Sequence, residues 1–183
     1  MDFELVLKTL TSEFDRRRIR YAAIGGFALG ILGFPRATMD LDFLVHIEDL
    51  AALHDTLTPL HYERVFHTVN VSQYRHADDR WGSLDFIHAF RKISLGMLER
   101  AKSYPVAGGQ LFVKSAAPED VIGLKVQAMS NDPSRRALET HDIEGLMSIY
   151  RAALDWERLQ EFYELFEFGD EAKRLKDRFG HAQ

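Results

Sequence analysis

The chain has 183 residues, 46% of them hydrophobic and 28% charged, with a formal net charge of -5 and no cysteine. That length and balance fit one folded domain, or one with a helical appendage, and exclude a disordered chain. Lack of cysteine excludes disulfides, thiolate zinc sites and cysteine nucleophiles, which leaves carboxylates and histidines as metal ligands. The negative charge excludes a chain-wide basic surface that would hold nucleic acid nonspecifically. No apolar run reaches the roughly 20 residues that cross a bilayer, so no membrane partner is expected and a cytoplasmic location is.

In chain order, Phe3, Val6, Leu7, Leu10 and Phe14 recur at helical spacing and predict an amphipathic helix over 2–18, closed by Arg18 to Arg20. The basic strip Arg16, Arg17, Arg18 and Arg20 reads as a solvated helix end rather than a phosphate-backbone contact. Tyr21 to Ile24 is a short apolar strand running into Gly25 and Gly26, and Phe27 to Leu32 a short buried helix ended by Gly33, Phe34 and Pro35. Asp40 to Val45 reads as a strand with Leu41, Phe43 and Val45 on one face and Asp40, Asp42 and Leu44 on the other. A helix over 47–57 follows, then one or two strands between Tyr62 and Tyr74 and another from Ser83 to His88. Tyr104 to Gly109 has the composition of a loop and Gln110 to Lys114 that of a strand. From Pro118 the pattern is helical, with further helices over 136–152 and 155–167, the latter capped by Asp155. Strands interleaved with helices, then helices alone, predict an α+β (mixed α/β) core over 1–115 and a helical C-terminal cap over 116–183.

The residues that carry chemistry lie in one block, Gly25-Gly26 through Arg36, Thr38 and Asp40-Leu41-Asp42. Adjacent glycines between a strand and a helix let backbone N–H groups approach a phosphate, which makes an anion seat. Two aspartates at i and i+2 on a strand share a face and could hold one or two Mg2+ ions that also grip a triphosphate. Asp85, an acid inside the apolar strand Leu84-Asp85-Phe86, is the candidate third carboxylate of a two-ion site. In such a site one ion activates an attacking hydroxyl and the other stabilises departing pyrophosphate. Arg36 suits either a triphosphate contact or a loop ion pair, and Thr38 either a nucleotide contact or a turn.

This block resembles the signature of the DNA polymerase beta type nucleotidyltransferase superfamily. Gly-Gly-x-Ala followed by Arg-x-Thr-x-Asp-x-Asp is similar to its minimal bacterial members, which include AbiEii-type toxins. The resemblance implies a nucleotidyltransferase-like mixed sheet flanked by helices, an NTP substrate such as ATP, and Asp40, Asp42 and Asp85 as metal-binding and catalytic carboxylates. Gly25, Gly26, Arg36, Thr38 and Lys125 would contact the nucleotide. Lys125 enters because Glu119-Asp120 leading to Lys125 resembles an acidic pair that precedes a helix lysine. Arg135 or Arg136 with His141-Asp142 resembles a later Arg, Lys-Asp motif, although histidine replaces the lysine and Gly145 stands where a second aspartate is common. The acceptor could be the 3′ end of an RNA such as tRNA, a protein hydroxyl or a small molecule such as an aminoglycoside. A cognate antitoxin and a homo-oligomer are also compatible with the resemblance. The alternative is a catalytically degenerate nucleotide-binding or toxin-antitoxin partner. A phosphohydrolase centred on His141-Asp142 lacks the other metal ligands such a site needs.

Overall fold

A computed structural model describes residues 1–181. The chain divides into two compact units, one of Met1–Ile31 with Arg36–Ala116, the other of Leu32–Pro35 with the chain from Ala117 onward.

The first unit is built on a seven-stranded mixed sheet in the order β3-β4-β5-β2-β1-β7-β6. Helix α1 (Phe3–Arg17) starts where the Asp2 side chain accepts from the Leu5 N–H and stops where Arg18 turns left-handed. Its periodic residues Val6, Leu7, Leu10 and Phe14 are all buried. Strand β1 (Tyr21–Ile24), buried throughout, pairs antiparallel with β2 (Asp40–His46) and parallel with β7 (Leu111–Ser115). Between β1 and β2 runs the short helix α2 (Gly25–Ile31), which begins at Gly25 without an intervening loop. A 3-10 turn at Ile47–Asp49 leads into α3 (Leu50–Leu57), so the helix expected over 47–57 is split. Strands β3 (Tyr62–His67), β4 (Val71–His76) and β5 (Ser83–Ala89) form an antiparallel meander whose last member pairs parallel with β2. Leu41, Phe43, Tyr74, Leu84 and Phe86 close one sheet face over α1, where Phe43 and Phe86 stack with ring centroids 5.6 Å apart.

Two segments differ from expectation. Helix α4 (Lys92–Arg100), which precedes the loop-like stretch, was not legible because it buries only Met97 completely. The stretch Lys102–Val106, expected in part as loop, is strand β6 at the sheet edge against β7. Pro105 is tolerated there because an edge strand has a side on which no N–H is required. Three arginines of the basic strip are answered by nearby acids, Arg16 and Arg17 by Glu13 and Arg20 by Glu48 and Asp49.

The second unit is helical: α5 (Pro118–Asn131), α6 (Arg136–Tyr150), α7 (Trp156–Leu165) and α8 (Gly169–Phe179). Asp155 caps α7 by accepting from the Arg158 N–H, and Glu119 accepts from the Asp155 N–H, tying the start of α7 to α5. A Cβ at Gly123 would stand 2.7 Å from the Phe162 ring, so glycine there permits close approach of α5 and α7. Helix α8 was not foreseen separately; Ala172, Leu175 and Phe179 form its buried stripe. No helix among the described residues is long and apolar enough to cross a membrane.

Candidate active site

Strand pairing assembles the carboxylates. Asp40 and Asp42 lie two residues apart on β2, and the parallel register sets Asp42 opposite Asp85 and Asp40 opposite Ser83 on β5. Neighbouring strands stand about 4.8 Å apart and alternate residues on one strand about 6.5 Å apart, so three acids share one small area of one sheet face. Each is oriented by its surroundings. The Thr38 hydroxyl donates to Asp40 Oδ1 at 2.9 Å, and the Gln73 carboxamide on β4 donates to Asp85 Oδ2 at 3.2 Å.

Asp42 leans on the glycine pair. Gly25 has φ +64, and a Cβ built there would fall 2.0 Å from Asp42 Oδ2, so both conformation and contact require glycine. At Gly26 a Cβ would meet Thr38 Cβ and Oγ1 at 3.0 Å and Arg36 Nη2 at 3.1 Å. The residues of the sequence block, separated by a helix and a loop, therefore converge at the head of β2. Gly30 has nothing within 4 Å of a built Cβ.

Burial raises the Asp85 pKa above the ordinary carboxylate value, and the negative charge of Asp40 raises it further, against the lowering effects of Gln73 and Arg75. Like charge thus accumulates where the strands meet, and the donor set is all carboxylate oxygen. Both features fit a hard divalent cation such as Mg2+. Among the described residues, no three acidic or imidazole groups already stand in ion-holding geometry.

Lys125 is placed in the second unit, on α5. Its side chain is 8% exposed, and the ammonium donates to Glu139 Oε2 at 2.8 Å and Asp142 Oδ2 at 2.7 Å, both from α6. Arg135 engages the other Glu139 oxygen. Burial alone would raise the Glu139 pKa, but Lys125 and Arg135 outweigh it and the carboxyl is held low. His141 and Asp142 diverge: Asp142 serves Lys125, whereas the His141 ring lies 5.5 Å from the Phe34 ring. Gly145 has a steric reason, since a Cβ there would come within 2.4 Å of Phe34 Cζ. The Tyr150 hydroxyl donates to the Leu32 carbonyl at 3.2 Å, so α6 holds the segment Leu32–Pro35 at two points.

Gln73 and Arg75 were missed at the level of sequence. Strand alternation was visible over that stretch, but only the β4–β5 register sets Gln73 opposite Asp85 and Arg75 opposite Ser83. A concavity in the second unit, lined by Arg136, Gln160, Glu164 and Phe168, contains none of the expected site residues.

No protein-family model matches the chain, and no curated protein sequence matches it. Solved structures do. The antibiotic-resistance factor ANT(2'')-Ia in solution is 14% identical with a TM-score of 0.68 over 100% of both chains. A crystal structure of ANT(2'')-Ia in complex with adenylyl-2''-tobramycin is 16% identical with a TM-score of 0.65 over 90% of this chain and 95% of the other. The lincosamide antibiotic adenylyltransferase LnuA, lincomycin-bound, is 14% identical with a TM-score of 0.58 over 80% and 97% respectively. The fold is therefore nucleotidyltransferase-like, a mixed sheet flanked by helices.

Proposed function

We propose that the protein is a nucleotidyltransferase that moves NMP from an NTP to an acceptor hydroxyl. The observation that carries it is the register of β2 with β5, which sets Asp85 opposite Asp42 beside the glycine pair. The acceptor oxygen forms a bond to the α-phosphorus while the bond to the bridging α–β oxygen breaks, and that electron pair leaves on pyrophosphate. The hydroxyl proton passes to the Asp85 carboxylate, whose raised pKa suits a proton acceptor. Asp40 and Asp42, with Asp85, would hold the Mg2+ ions, which supply charge neutralisation of the triphosphate and of the leaving pyrophosphate. Thr38 orients Asp40, and Gly25, Gly26 and Arg36 give the nucleotide close access to the backbone and a cation. Lys125 stays with Glu139 and Asp142 in this scheme.

A small-molecule acceptor and ATP as donor are favoured by the structural neighbours, whose names record an adenylylated tobramycin and a bound lincomycin. The net charge of -5 and the pairing of Arg16, Arg17 and Arg20 with acids point the same way, since an RNA acceptor profits from unpaired cations. A toxin that modifies RNA or protein and is restrained by an antitoxin is the competing assignment, and a nucleotide-binding partner without turnover another. Labelled NTPs with Mg2+ should be offered to tobramycin, lincomycin, a cellular small-molecule fraction, total RNA and total protein. Label should appear on a small molecule with wild type and fall on the order of a thousandfold with Asp42→Ala. Equal labelling by both proteins, or none by either, overturns the assignment.

A further inference from the structure

The row of residues that contains Asp42 and Asp85 continues across the sheet. Asp42 on β2 faces Asp85 on β5, Asp85 faces Gln73 on β4, and Gln73 faces Phe66 on β3. Directly opposed residues share a sheet face, so Phe66 lies on the carboxylate side. It does so because of one irregularity. From Tyr62 to Arg64 the β3–β4 pairing runs in a single register, with Arg64 opposite Tyr74; continued regularly, it would set Val65 opposite Gln73. A β-bulge between Arg64 and Phe66 advances the strand by one residue, and Phe66 takes that place. Bulges commonly re-aim a side chain beside a functional site.

Phe66 is 49% exposed, so its ring is open to contact on the carboxylate side. The next row on the same face, two residues along β2, reads Asp40, Ser83, Arg75, Glu63, so the ring is bordered by polar side chains able to donate and accept. Two strand spacings, about 10 Å, separate Phe66 from Asp85. Gln73 spans the interval and already touches Asp85.

We propose that Phe66, Gln73, Arg75 and Glu63 form the acceptor subsite, and that the acceptor is a hydroxylated ring compound that packs one ring on Phe66 while presenting a hydroxyl to Asp85. Aromatic packing supplies affinity, and the polar border supplies orientation through hydroxyl hydrogen bonds. The 10 Å interval sets the distance between the packed ring and the reacting hydroxyl, a distance that a molecule of two or more linked rings spans. A nucleic acid strand fits less well, because Glu63 and the three aspartates outnumber Arg75 in these two rows. The subsite rests on the transfer reading above, and its test separates the two.

Transfer from labelled ATP to the acceptor panel already described should be measured with wild type, Phe66→Ala, Phe66→Tyr and Val69→Ala. Val69 is a second exposed apolar residue, 64% exposed, outside the row, and serves as control. Phe66→Ala should raise the acceptor KM roughly tenfold and leave the KM for ATP within about twofold. Val69→Ala should behave as wild type, and Phe66→Tyr, which keeps the aromatic face, should raise the acceptor KM less than Phe66→Ala does. An unchanged acceptor KM in Phe66→Ala overturns the subsite but not the transfer. Label confined to RNA or protein does the same. No transfer by wild type to any member overturns both.

Discussion

The protein contains two acid clusters of opposite design. In the second unit, Glu139 and Asp142 close around the ammonium of Lys125 in an almost wholly buried cluster, and the exposed Arg135 balances the remaining charge from outside. In the first unit, Asp40, Asp42 and Asp85 gather on two adjacent strands, and the bonds to Asp40 and Asp85 come from the neutral donors Thr38 and Gln73. The first arrangement spends its charge inside the protein and holds helices together. The second sets carboxylates side by side on a sheet face, where burial and the charge of Asp40 disfavour ionised Asp85, a cost to folding that a bound cation would offset. A cluster of acids is thus read by its geometry and surroundings, and the second is the one that fits the proposed transfer.

Three substitutions test that contrast. Lys125→Met should cost about 3–5 kcal/mol in denaturant unfolding, because two buried carboxylates lose the ammonium between them, although Glu139 keeps a cation, Arg135. A loss under 1 kcal/mol would mean that the closed cluster is not structural. Gly145→Ala forces the Phe34 ring away from α6 and should cost about 1–3 kcal/mol. In a double-mutant cycle, Phe34→Ala should remove most of that penalty; additive effects would show that the clash is not its source. The smallest effect should have the opposite sign. Asp85 has a folded pKa above its unfolded value, so the folded state binds more protons and the favourable contribution is lost as pH rises through the folded pKa. Without divalent cation, Asp85→Asn should therefore stabilise the protein at neutral pH by less than about 1 kcal/mol, and the gain should vanish below the unfolded value near pH 4. Destabilisation at neutral pH would contradict accumulated like charge at this place. Together with the Asp42 and Phe66 variants, these measurements separate the clusters by activity and by stability.

The glycine pair and Asp-x-Asp were legible because they are local: a strand running into Gly25, a helix, and a strand bearing two acids on one face are all written within 20 or so residues of sequence. Asp85 was inferred from an acid in an apolar strand, and the β2–β5 register supplies the neighbour that makes it meaningful. Lys125 shows the converse. An apolar helix with one lysine looks the same in sequence whether the ammonium meets a phosphate or, as here, two acids 14 and 17 positions later.

Sequence by itself determined which segments alternate, where the strands give way to helices, and which carboxylates sit on a common strand face, since these follow from periods of two and 3.6 residues along one chain. Tertiary structure decided the rest. It decided that Gln73 serves Asp85, that Phe34 occupies the space left by Gly145, and that one extra residue in β3 turns Phe66 toward the carboxylates. Each depends on pairing between distant segments, where a shift of one position exchanges the two faces of a strand.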